Sequence, residues 1–211
     1  MNDYALRESD YGLVTPAGAY MTASGALSGG AAKLMLKLLS QEATPPLQLS
    51  QLASWAEMPR DNTLELLHRL QNLSLLSAIT APLRAPQGSP EAVLSQCMRP
   101  LSSRGRVLLA DSQGLCVYSL GFAHETAEEL AGMSAALLAL SAHHDLLLNK
   151  HLGLQAPHWG LVGPDGCSRL SFWRLQIGEQ RLSLVIEGVP HLNQMAFTEV
   201  IWCLVKRYLR Q

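Results

Sequence analysis

Residues 169–187 place the tightest constraint on the fold. Two apolar runs, Arg169–Ile177 and Arg181–Glu187, are split by Gly178-Glu179, with Gln180 before the second run. A Gly-x pair between such runs is a hairpin signal, because glycine takes the turn conformation without steric cost. In the second run Leu182, Leu184 and Ile186 fall on one side, the period-two pattern of a half-buried strand. The same kind of text occurs elsewhere. His158–Val162 stops before Pro164-Asp165-Gly166, and Arg106–Ala110 and Leu115–Leu120 flank Asp111-Ser112-Gln113-Gly114. In that last turn Asp and Ser can fold back onto the backbone, and Gly supplies the left-handed position.

Helical periodicity fills the gaps. Glu91–Met98 reads as a helix with Ser89 and Pro90 suited to its start. Glu125 to about His151 reads as one long helix with Leu130, Met133, Leu137, Leu140 and Leu147 at or near core spacing. Leu192–Leu209 closes the chain as an amphipathic helix. The front differs. Residues 1–30 read as an irregular lead, broken by Gly12, Pro16, Gly18, Gly25, Gly29 and Gly30. Ala31–Leu39 is a helix stopped by Thr44-Pro45-Pro46. Leu47 and Leu49 flank a short extended piece, and Ser50 is the expected N-cap of a helix over Gln51–Glu57. A turn through Met58-Pro59 opens a third helix with Leu66, Leu67, Leu70 and Leu73 as its apolar stripe. Leu75–Thr80 then extends, and residues 86–90, within the Pro82–Pro90 stretch, read as a linker.

Composition excludes several classes. Sixteen Lys and Arg against seventeen Asp and Glu give a formal charge of −1, so no overall field draws the chain to nucleic acid or an anionic membrane. Asp3, Glu8 and Asp10 stand where a secretory signal would carry basic residues, so no such signal is expected. The uncharged stretch 11–32 is too polar to span a bilayer, and Leu130–Ala142 is too short. Cys97, Cys116, Cys167 and Cys203 form no CxxC pair and read as reduced structural thiols of a cytoplasmic protein.

Two resemblances follow. Leu49-Ser50-Gln51-Leu52-Ala53, then Thr63 to Leu70, then Leu73 to Leu76, lie in an order that resembles a winged helix-turn-helix over residues 31–85. Val107 to Leu115, with its Asp-x-x-Gly turn, and Ala131-Gly132-Met133-Ser134-Ala135-Ala136-Leu137 resemble the opening hairpin and following helix of the roadblock (dynein light chain) domain. The late hairpin fits the same pattern, so residues 91–211 are similar to a roadblock domain. The expected fold class is therefore α+β. A winged-helix-like module would precede a five-stranded antiparallel sheet flanked by helices. The resemblance implies homodimerisation through an edge strand and the long helices, with Leu137, Leu140, His144, Trp159 and Leu161 at the interface. It also implies protein partners such as a small Ras-like GTPase or another assembly subunit.

No catalytic constellation emerges. There is no phosphate-binding GxxxxGK[ST], no G-x-S-x-G elbow and no HExxH. His144 and His151 lie about 10.5 Å apart along a helix, too far to share one zinc ion. The expectation is a non-catalytic adaptor or regulator without cofactor or metal. The alternative is a DNA-binding transcriptional regulator whose second domain dimerises or senses a ligand. Arg60, Asn62, Thr63 and Arg69 of the third helix would then touch DNA. Against it, residues 31–85 hold five Lys or Arg and four Asp or Glu, which neutralise few phosphates.

Overall fold

The structure, a computed structural model, describes residues 6–154 and 158–209. It opens with β1 (Tyr11–Val14) and α1 (Pro16–Ala23), followed by α2 (Gly29–Leu39), α3 (Leu49–Ala56), α4 (Arg60–Asn72) and β2 (Leu76–Ile79). Then come α5 (Pro90–Met98), β3 (Val107–Asp111), β4 (Cys116–Leu120) and α6 (His124–His143). The chain ends with β5 (Trp159–Val162), β6 (Ser168–Ile177), β7 (Gln180–Glu187) and α7 (Met195–Tyr208). The fold is α+β, and five strands form an antiparallel sheet in the order β4-β3-β7-β6-β5.

The three expected hairpins form, two of them for local reasons seen directly in their turns. The Asp111 carboxylate accepts from the backbone amides of Gln113 and Leu115, each at 2.9 Å, and Gly114 takes φ +85°. At the far end Ile177 pairs with Gln180 across Gly178-Glu179. Alternation then sorts the side chains. Val107, Leu109, Leu175, Ile177, Leu182, Leu184 and Ile186 face α5 and α7, while Leu108, Ala110, Phe172 and Val185 face α6.

The lead segment corrects the sequence reading. Residues 1–30 are not an irregular stretch, since β1 and α1 lie within them. β1 pairs antiparallel with β2, from Tyr11 opposite Ile79 to Val14 opposite Leu76. Thr15 caps α1, its hydroxyl accepting from the Gly18 amide at 3.0 Å, and Pro16 takes the first turn, where a missing N–H costs nothing. Gly18 is present for space. A Cβ there would lie 2.0 Å from the Leu75 carbonyl oxygen.

Other boundaries shift. α3 starts at Leu49 with Gln48 as its N-cap, so Ser50 is inside the helix. The Glu8 carboxylate accepts from the Leu49 amide at 3.2 Å and satisfies a donor that a capping side chain would otherwise take. The long helix ends at His143, and Leu146–His151 forms a π-helical turn instead of continuing it. Its inward face is small residues, Ala127, Ala131, Ser134 and Ser141, whereas Met133, Leu140 and Leu147 of the expected core are 41%, 41% and 48% exposed.

One apolar core runs from Val14 through Leu76, Val93 and Val107 to Val205, so the segment at 86–90 joins two parts of a single interior. Ala85 is itself buried and donates its amide to the Glu42 carbonyl at 2.9 Å. The link is α7, which packs on α5, α1 and α2 as well as on β6. Trp202 donates its indole N–H to the Gln41 carbonyl at 2.9 Å, and Lys206 pairs with Glu42 at 2.5 Å.

Gly→Ala inside a helix ordinarily stabilises by about 0.5–1 kcal/mol. At Gly18 the clash with Leu75 reverses the sign. Gly18→Ala is expected to lose about 1–3 kcal/mol in urea unfolding. A gain would contradict the packing of α1 described here.

Candidate interaction surface

The sheet leaves two edges, β4 and β5. They differ in cover. β4 is half-buried along its whole length, with α5 and α6 packed against it. β5 has Gly160, Leu161 and Val162 exposed, and its outer backbone groups meet no strand among the described residues. Leu161 and Val162 are 53% and 64% exposed. A register shift between them ends the regular pairing with β6.

The neighbouring α6 and its π-helical turn add a second apolar set. Leu140 of α6 and Leu146, Leu147 and Leu152 of the turn region are exposed, as is Leu154. This is a consequence of how α6 sits. Alanine and serine face the strands, and several of the helix's larger side chains lie on its flanks and outer side.

The expected interface residues occupy unequal positions. Leu140 and Leu161 are exposed. Leu137 is half-buried against the cluster of Leu108, Ala110, Phe172 and Val185. Trp159 is also half-buried in that cluster, and its indole N–H donates to the Ser141 hydroxyl at 2.6 Å. This hydrogen bond ties β5 to α6. His144 is exposed at the end of α6, its ring edge-on to that of His143 at 4.7 Å between centroids. Sequence reasoning passed over Val162, Leu146, Leu152 and Leu154. The signal was the leucine run 146–148 at a polar helix end.

On the opposite face of the sheet, Trp173 stacks with His158 at 4.2 Å and meets Tyr20 of α1 edge-on at 5.9 Å. Burial raises the Tyr20 hydroxyl above its ordinary pKa. The front unit thus leans on the strand that carries β5.

The residues proposed for DNA do not form one surface. Thr63 is fully buried and bonds back to the Pro59 carbonyl at 2.9 Å, which corrects its assignment as a contact residue. Arg60, Asn62 and Arg69 are exposed, but Asp61 and Glu65 are exposed on the same helix, and Asp61, Glu65 and Arg69 follow one another at helical i, i+4 spacing. Two carboxylates on that stripe oppose a phosphate backbone.

Three of the four cysteines are at least half-buried packing groups, and Cys167 is exposed. Burial pushes the Cys97 thiol up to about 12, reinforced by its S–H donating to the Glu199 carboxylate at 3.1 Å. Burial also raises Cys116 and Cys203. Among the described residues, no three His, Cys, Asp or Glu side chains gather as a metal ion would require, and no helix is long and apolar enough to cross a membrane.

The second part of the chain runs helix, two strands, long helix, three strands, helix, around a five-stranded antiparallel sheet with helices on both faces. That order is the one expected of a roadblock-like fold. Among solved structures, the chain is similar to Myxococcus xanthus MglB, with 18% identity and a TM-score of 0.40 over 58% of this chain and 96% of that one. It is also similar to a Roadblock/LC7 domain from Streptomyces avermitilis, with 14% identity and a TM-score of 0.33 over 56% of this chain and 94% of that one. No protein-family model matches the sequence, and no curated protein matches it.

With a thiolate needed for reaction, the buried thiols are expected to be slow. In native protein at mildly alkaline pH, iodoacetamide should label exposed Cys167 first and Cys97 only on unfolding. Equal labelling of the two, read by mass spectrometry, would contradict the burial of the α5–α7 contact.

Proposed function

We propose that this protein is a non-catalytic, cytoplasmic adaptor or regulator that works as a homodimer and binds other proteins through its roadblock-like unit. The observation that carries this reading is the open β5 edge beside the exposed leucines of α6 and its π-helical turn. An uncovered edge offers backbone donors and acceptors that a second strand can satisfy, and flanking apolar side chains supply the burial that makes such pairing stable. A second copy presents the same edge and the same leucines, which suits a two-fold interface. The partner class we favour is a small Ras-like GTPase, the class that the roadblock resemblance implies. The front unit, winged-helix-like in the order of its helices, acts in this reading as a protein-facing or structural module.

Light scattering at micromolar concentration is expected to give twice the 23.0 kDa of the single chain. Leu140→Asp combined with Leu161→Asp should retain the far-UV spectrum and shift the mass to that of one chain, since both side chains are exposed in the monomer. A wild-type protein that stays at 23.0 kDa would remove the dimer from the account.

A further inference from the structure

Under α6 the sheet carries a charge arrangement that the interaction surface does not use. Arg174 lies in the middle of β6 on the side of Phe172, so it points to the α6 face of the sheet. Its Cα partner on β7 is Ser183, and Arg181 lies two residues along β7 on the same face. The two arginines are therefore diagonal cross-strand neighbours, about 7–8 Å apart at the backbone, close enough for long side chains to interact. Like charges so placed repel, and an inward guanidinium is costly to desolvate unless an acceptor meets it.

No acceptor does. The Arg174 Nε–H is buried without a hydrogen-bond partner, and among the described residues neither Arg174 nor Arg181 has a carboxylate within ion-pair distance. The contrast is with Arg104, Arg106, Arg169 and Arg207, which all lie against a carboxylate. Both unpaired arginines line a cleft of about 620 Å³ between α6 and the sheet. Ala135, Ala139 and Ala142 form its helical wall, and their short side chains leave it open. Asp145 is also at the cleft, and its carboxylate accepts from the Asn149 amide. Two guanidinium groups against one carboxylate leave the lining net positive by one charge.

We propose that this cleft binds a small oxyanion, a carboxylate or phosphate group of a small molecule, held between Arg174 and Arg181. Guanidinium groups present paired N–H donors that match such groups bidentately, and the bound charge relieves the repulsion between the arginines. The volume is that of an ordinary small-molecule site, in the range of about 300–1,000 Å³. The ligand's remainder would lie along the alanine wall. Its two arginines lie on β6 and β7, away from the β5 edge, although its helical wall shares α6 with the proposed interface.

The test uses the full chain and the Arg174 Nε–H as reporter. Its nitrogen-15 correlation is followed while inorganic phosphate or, separately, citrate is added against chloride of equal ionic strength. At least one titration is expected to move the signal saturably, and which one does separates phosphate from carboxylate recognition. Arg181→Gln, with its fold checked by circular dichroism, should weaken that binding about tenfold or more, the loss of a charged hydrogen-bond pair. Should that variant not fold, Arg174→Gln read by a thermal shift with the same anions replaces it, and the stabilisation should disappear. Arg169→Gln, whose guanidinium pairs with Asp165, should leave the affinity unchanged. No saturable shift with either anion overturns the proposal. So does an equal loss in Arg169→Gln, which would mean that the anions merely screen net charge.

Discussion

The burial of α7 on nearly every side is the constraint on which the rest of the structure depends. Phe197, Val200, Ile201, Trp202, Leu204 and Val205 all lie inside, and fully burying each such side chain contributes about 1.5–3 kcal/mol. A helix with one apolar stripe would be satisfied by the sheet alone. This one also needs α5 on one side and the front helices on another, and it holds them with the Trp202–Gln41 hydrogen bond and the Lys206–Glu42 ion pair. The front unit is therefore part of the fold's interior on that face. It cannot swing away without opening a large part of the core.

The opposite face is built differently, and its surface properties follow from that. There α6 approaches the strands on alanine and serine, with the Trp159–Ser141 hydrogen bond fastening β5 to the helix. Close approach at one end of the contact buries Ala127 and Ala131 against Leu108, Ala110 and Val185. The cost is that leucines of α6 and the π-helical turn stay exposed among the described residues. One face of the sheet thus consumes its apolar surface internally, and the other leaves an apolar margin next to an open strand. That asymmetry supports an interaction role more directly than any single residue does.

Much of the second unit was legible in the sequence, because its signals are local. Asp111 and Gly114 build one turn, Gly178 sits in another, and alternation along β7 places Leu182, Leu184 and Ile186 on one side whatever the rest of the chain does. The failures were those of long-range geometry. Gly18 reads as a breaker, whereas it permits α1 to pass the Leu75 carbonyl, and Pro16, also read as a breaker, takes the first turn of α1. In α6 hydrophobicity favours leucine as the inward face, but a flat sheet surface admits a helix closely only on small side chains, and that depends on the partner surface. Trp159 was expected at the interface because β5 is an edge. Its position opposite Phe172 turns it towards α6 instead. Arg174 carried a readable signal, a charge at an inward position of an alternating strand, but its missing acceptor is visible only in three dimensions.

The measurement closest to the central claim is hydrogen exchange of the β5 amides as a function of protein concentration. Residues 159–162 bond to β6 on one side only, so in the single chain their outward amides exchange as fast as an uncovered strand allows. The account predicts that raising the concentration slows these amides selectively, together with those of the π-helical turn at Leu146–His151, while β4 stays unchanged. Protection that is constant with concentration at β5, or that rises at β4 instead, would contradict the assignment of the β5–α6 margin as the surface through which this protein meets its partners.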